Sequence, residues 1–165
     1  LTPSDADAFY ALRMTGLQEA PSAFASSYEE EKDFPRATIE ARLAVKTDRG
    51  VFGAFEGQDL VGLVALGREN MNKLGHKAMI WGMYVSPNFR GQGVGRALLL
   101  EALELARSVS SILQVNLGVN ASNKPAILLY ESVGFKAFGQ EPGALMVSGT
   151  LHDEIHMFLR LRSGV

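Results

Sequence analysis

The chain has 165 residues, which suits one domain with a sizeable core. Its formal net charge of −2 gives no electrostatic reason to expect nucleic acid or an anionic membrane surface as a partner, and no apolar run is long enough to span a bilayer. The sequence contains no cysteine, which excludes disulfides, thiolate metal ligands and a cysteine nucleophile. The same lack, with no basic-then-apolar leader at the start, leads us to expect a cytoplasmic protein.

Thr2-Pro3-Ser4-Asp5 predicts a helix start, with Thr2 as cap and Pro3 in the first turn. Phe9, Leu12 and Leu17 supply its apolar face. Pro21 interrupts, and a second helix is predicted over 24–32. Glu29, Glu30 and Glu31 on it form either a solvated face or a patch that attracts a cationic acceptor. Pro35 opens a third helix over 37–46, with Ile39 and Leu43 on one side. Residues 51–55 and 60–66 read as strands joined by a tight turn, and 68–75 as a polar loop. A strand follows from about His76 to Val85.

A long helix is predicted from Val94 to about Arg107, because Val94, Leu98, Ala102 and Leu105 fall on one stripe. Over 112–119, Leu113, Val115, Leu117 and Val119 alternate with Gln114, Asn116 and Gly118, the pattern of a strand. Pro125 opens a last helix that Gly134 closes. Residues 135–138 read as a short strand, 140–144 as a loop holding Pro142 and Gly143, and 147–151 and 155–161 as closing strands. The order predicts one α/β domain over 1–165 with a mixed sheet.

The stretch from Met79 to Leu99 carries the functional signal. An apolar strand ends at Pro87, glycines stand at 91, 93 and 95, and a helix begins. A helix start has unpaired N–H groups and the positive end of the macrodipole, so this turn suits a phosphate or pyrophosphate. Gly95-Arg96-Ala97 lacks the lysine and hydroxyl of a Walker loop, and Arg96 breaks the dinucleotide glycine pattern.

Arg90-x-x-Gly93-x-Gly95, preceded by Tyr84-Val85-Ser86-Pro87, resembles the acyl-CoA-binding motif of the GCN5-related N-acetyltransferase (GNAT) superfamily. A second stretch, from Asn123 through Ala126 and Tyr130 to Gly134-Phe135, is similar to that family's other signature. The element order agrees over nearly the whole chain. The resemblance implies an α/β fold: a single GNAT-like domain with a mixed, mostly antiparallel central sheet and helices on both faces. It implies direct transfer of an acetyl group from acetyl-CoA, with no metal, to an amine of a small molecule or a protein amino group.

By the same resemblance, N–H groups of Gly91, Gln92, Gly93, Val94, Gly95 and Arg96 cradle the pyrophosphate, with Arg90 and Arg96 adding charge. The backbone of Met83, Tyr84 and Val85, beside a bulge, pairs with the pantetheine arm, and the Val85 N–H faces the developing oxyanion. Tyr130 protonates the leaving thiolate, and Asn123 caps its helix and bonds near the cofactor arm. No general base is visible, because Ile80, Trp81, Gly82 and Met83 stand where some members carry a glutamate. Glu141, His152, Asp153, Glu154 and the 29–31 run remain, each more readily read as a surface residue, and the resemblance is equally compatible with a water-mediated base. His76, His152 and His156 show no metal-ligand spacing. Trp81 reads as core or as an acceptor-pocket wall. Ile155 to Leu159 reads as a core strand or as a contact in a homodimer. A catalytically silent acyl-CoA-binding domain, or another phosphate-ligand binder, is the alternative.

Overall fold

The computed structural model describes residues 1–162. Its centre is strand β2 (Asp59–Arg68), in which Val61 through Leu66 are buried in succession. A strand buried on alternate and intervening residues alike must be covered on both faces. Val64 and Leu66 pack under one set of helices, Leu63 and Ala65 under another. The six-stranded sheet runs β1 (Arg49–Glu56), β2, β3 (Lys77–Val85), β4 (Gln114–Asn120), β6 (Thr150–Arg160), β5 (Lys136–Val147). The β3–β4 pair is parallel and every other pair antiparallel.

Helices α1 (Ala6–Glu19), α2 (Tyr28–Glu31) and α3 (Arg36–Arg42) precede the sheet. Phe9, Leu12 and Leu17 of α1 and Ile39 of α3 close one face. On the other lie α4 (Val94–Ser108) and α5 (Lys124–Ser132). Leu98, Leu99, Ala102, Leu103 and Ala106 recur at helical spacing, each at most 3% exposed, and pack on Ala78, Ile80 and Val115. Each buried leucine contributes about 1.5–3 kcal/mol of transfer free energy, so this stripe fixes α4 and the turn that leads into it.

Two irregularities open the sheet. The β2–β3 register shifts between Leu63 and Ala65, where β3 inserts an extra residue around Gly82, whose φ of +66° suits glycine. Beyond that, β3 and β4 pair only from Lys77–Met79 to Gln114–Asn116. Past this point they diverge, leaving a wedge between the end of β3 and the end of β4.

Several expectations need correction. The helix predicted over 24–32 is only Tyr28–Glu31. Ser27 starts it: its hydroxyl accepts from Glu30 N–H at 3.3 Å while the Glu30 carboxylate accepts from Ser27 N–H at 2.7 Å. The third helix ends at Arg42. Glu31 is not a surface residue. It is 1% exposed, bound by Arg13 Nη2 at 2.9 Å and Arg42 Nη1 at 2.8 Å, an ion cluster that pins α1, α2 and α3 together.

Residues 140–144 are not a loop but an irregular part of β5. The register breaks between Glu141 and Leu145, and Asp153 holds the distortion by accepting from Gly143 N–H at 2.9 Å and Gln140 Nε2 at 2.8 Å. Residues 147–151 are not one strand. Ser148 (φ +48°) and Gly149 (φ +80°) make a two-residue turn between β5 and β6. Strand β6 is flanked by β4 and β5, so Ile155 to Leu159 offers no free edge to a second copy; the edge strands are β1 and β5.

Candidate active site

The wedge between β3 and β4 forms a cavity of about 570 Å³. Its walls come from the end of β3 (Trp81 to Val85), the glycine turn, the start of α4, the end of β4 and α5. Of the twelve residues expected at the site, Met83, Tyr84, Val85, Arg90, Gly91, Gly93, Val94, Gly95, Arg96, Asn123 and Tyr130 line it. Gln92 does not; its side chain turns back to donate to Asn88 O at 2.8 Å.

The glycine turn has the form required of an anion cradle. Gly91 (φ +72°) and Gly93 (φ +84°) occupy left-handed backbone, and no heavy atom lies within 4 Å of where a Cβ would stand on either. Ala97 is the first residue of α4 whose N–H returns to the chain, to Gly93 O at 3.0 Å. Among the described residues, no partner accepts from the N–H groups of residues 91–96. A run of free N–H groups at the positive end of a 15-residue helix has the chemistry to receive an anion.

The two arginines differ. Arg90 is engaged: its Nε donates to Val85 O and its Nη2 to Glu19 Oε2, both at 2.8 Å, and its guanidinium lies 5.5 Å from the Tyr84 ring centroid. It braces the turn against β3 and α1. Arg96, exposed on the first turn of α4, makes no ion pair with a described residue and is available to a phosphate.

The end of β3 presents backbone to the cavity. Ser86 N–H donates to Val61 O at 2.8 Å, so Val61–Ser86 is a hydrogen-bonded pair of the antiparallel ladder. The neighbouring Gly62–Val85 pair is therefore the other kind, with the Val85 N–H and C=O turned away from β2. Arg90 reaching the Val85 carbonyl from that side agrees with this. The Val85 N–H thus points into the wedge that β4 has vacated.

Tyr130 is 5% exposed and packs edge-on against Phe135, with ring centroids 5.9 Å apart. Burial alone pushes its phenol up to about 12. Its hydroxyl has no hydrogen-bond partner among the described residues. Asn123 caps α5 by accepting from Ala126 N–H at 3.2 Å, which sets the helix that carries Tyr130.

Two contributors, Glu19 and Asn120, were not singled out from sequence. Glu19 accepts from the Tyr84 hydroxyl at 2.5 Å and from Arg90, tying α1 to the end of β3. The Tyr84 phenol is pushed up to about 12 by burial and by its bond to Glu19. That bond, the largest influence, holds the Glu19 carboxyl below its usual value together with Arg90, although burial opposes them. Asn120 is 8% exposed at the end of β4; its Oδ1 accepts from Ser122 and its Nδ2 donates to Ser22 O at 3.1 Å. It closes the cavity floor against the segment after α1. Finally, the histidines are not all isolated: Glu141, Glu154 and His156 place ligand-type atoms within 4.8 Å of one another across β5 and β6. Trp81 lies on the cavity wall, partly exposed, and not in the core.

Residues 14–135 match the model of the acetyltransferase (GNAT) family. An uncharacterized protein of Mycobacterium leprae is 34% identical over 153 residues, covering 90% of this chain and 37% of its own length. The N-alpha-acetyltransferase RimI of Mycobacterium tuberculosis is 31% identical over 139 residues, covering 84% of each. A mycothiol acetyltransferase of Acidothermus cellulolyticus is 36% identical over 91 residues, 55% of this chain and 26% of that protein. The chain thus spans well under half the length of two of these relatives. The fold matches that of YncA, a putative acetyltransferase of Salmonella typhimurium solved with acetyl-CoA, with a TM-score of 0.86 over 100% of this chain and 93% of that one at 22% identity. The family model and the relatives show that the chain belongs to the GNAT acetyltransferase family.

Proposed function

We propose that this protein transfers the acetyl group of acetyl-CoA directly to a primary amine, with the wedge between β3 and β4 as its active site. One observation carries the reading. Gly91 and residues 93–96, whose N–H groups have no partner among the described residues, line one cavity together with Val85 and Tyr130.

The chemistry follows from these groups. The glycine turn holds the pyrophosphate, and the unpaired edge of β3 from Met83 to Val85 holds the pantetheine amides as an added strand would be held. The Val85 N–H stabilises charge on the carbonyl oxygen as the amine attacks. The thioester C–S bond breaks, and the Tyr130 hydroxyl protonates the departing sulfur. A phenol at about 12 is a weak acid in water. The thiolate forms in the same apolar cavity, however, and desolvation raises its basicity too. The acceptor is the amine of a small molecule or the amino group of a protein. The test is thiol release from acetyl-CoA over a panel of amines, with mass spectrometry of the product. Release that depends on the amine, and a product heavier by one acetyl group, supports transfer. Tight acetyl-CoA binding without release for any amine favours a silent acyl-CoA-binding domain.

A further inference from the structure

Direct transfer requires that an ammonium acceptor lose a proton before its nitrogen can attack. None of the side chains on the end of β3 can take one. Resting on the reading above, we propose that Glu154 of β6 is the general base, its carboxylate reaching the site across Gly118 of β4.

Gly118 lies on the wall of the cavity. A Cβ built on it would fall 2.5 Å from Glu154 Cδ and 2.9 Å from Glu154 Oε2. The carboxylate therefore occupies the space that a side chain at 118 would fill. It lies flat over the Gly118 Cα, and glycine is required there to admit it. The strand register explains how. Asn120 pairs with Glu154, and Gly118 with His156, so side chains of 118, 120, 154 and 156 share the face of the sheet opposite α4 and α5. The cavity opens to that face through the wedge. The sequence offers Glu154 only as one of several surface-type carboxylates, because it is far along the chain from both motifs and only the β4–β6 pairing brings it to Gly118.

The other carboxylates named as candidates are committed elsewhere. Glu31 is locked between Arg13 and Arg42, Glu30 caps α2 and Asp153 holds the β5 distortion. Glu29 pairs with Lys32 at 2.5 Å. Glu141 is bonded to His156 Nε2 at 3.1 Å. The Glu154 side chain makes no hydrogen bond or ion pair with a described residue. Beside it, Phe138 is 60% exposed with its ring 6.0 Å from that of His156, an apolar wall for the stem of a cationic amine.

The step balances. An acceptor R–NH3⁺ gives one proton to the Glu154 carboxylate, and its freed lone pair forms the C–N bond to the thioester carbon. The C–S bond breaks, and the sulfur takes a proton from Tyr130. The nitrogen's second proton restores the phenol, and Glu154 returns its own to solvent. The sum is R–NH3⁺ plus acetyl-CoA giving the acetamide, CoA and one proton.

Glu154→Gln, Glu154→Asp and Glu141→Gln are compared with the unaltered protein. Three quantities are read: acetyl-CoA affinity by calorimetry, melting temperature, and thiol release with spermidine or an alanine-initiated peptide, whichever is acetylated faster. Glu154→Gln is expected to lower kcat by about 10²–10⁴-fold, the span of a general base, while acetyl-CoA affinity stays within about twofold. Glu154→Asp should recover part of the rate, and Glu141→Gln should stay within about threefold of the unaltered protein. A Glu154→Gln enzyme that turns over within threefold of the unaltered protein overturns the proposal, as does a loss confined to Glu141→Gln. Failure of the unaltered protein to bind acetyl-CoA would instead sink the reading of the cavity itself.

Discussion

Removing one oxygen from Tyr130 separates a catalytic phenol from a packing ring. Tyr130→Phe keeps the ring, its burial and its edge contact with Phe135. The hydroxyl has no partner among the described residues, so its loss leaves no buried donor or acceptor of theirs stranded. The stability cost is under about 1 kcal/mol, whereas truncation to alanine would cost about 3–5 kcal/mol through the cavity it leaves. The catalytic cost is of another order. A general acid contributes about 10²–10⁴-fold, or about 3–5 kcal/mol of barrier. Tyr130→Phe should therefore melt within a few degrees of the unaltered protein and bind acetyl-CoA as well, with kcat for thiol release reduced at least a hundredfold. A kcat within twofold of the unaltered protein would return Tyr130 to a purely structural role.

The glycine turn yields a paired test. Gly93 has a φ of +84° and open space around it, so Gly93→Ala should cost about 1–2 kcal/mol of backbone strain with little steric block. Gly93→Asp carries the same strain and adds a carboxylate to the anion cradle. Its CoA affinity, measured by calorimetry, should fall at least tenfold below that of Gly93→Ala, and equal affinities would refute the cradle. The Glu31 cluster governs stability. Burial opposes ionisation of Glu31, but the bonds and charges of Arg13 and Arg42 outweigh it and hold the carboxyl down at about 2. The folded value lies below the unfolded one, so this contribution is present in full above about pH 4.5 and fades as pH falls towards 2. Glu31→Gln should cost about 3–5 kcal/mol in urea unfolding at pH 7, because it strands two guanidinium groups. It should also flatten the pH dependence of stability between 4.5 and 2. A cost below about 1 kcal/mol would show that α1, α2 and α3 do not depend on the cluster.

Legibility followed the range of the interactions. Helices α4 and α5 and the central strands were readable because each writes its burial as a local period: Leu98, Leu99, Ala102 and Leu103 in one case, Val115, Leu117 and Val119 in the other. The glycine turn was readable because a chain reversal at a helix start needs particular residues at fixed spacing. What failed to show were contacts between distant segments. Glu31 looks like a solvated acid until Arg13 and Arg42 are folded onto it. The irregular middle of β5, with Pro142 and Gly143, reads as a loop because Asp153, which stabilises the distortion, lies ten residues away from Gly143. The Glu19–Tyr84–Arg90 brace and the Glu154 carboxylate over Gly118 likewise depend on pairing that no local pattern encodes.

The most direct test of the central claim is calorimetric titration of the unaltered protein with acetyl-CoA, with CoA, ATP and NAD as comparisons. The account predicts one site per chain that takes acetyl-CoA and CoA and holds ATP and NAD far more weakly, because only the CoA compounds fill both the glycine turn and the β3 edge. Binding of ATP or NAD as tight as that of acetyl-CoA, or no acetyl-CoA binding at all, would contradict it.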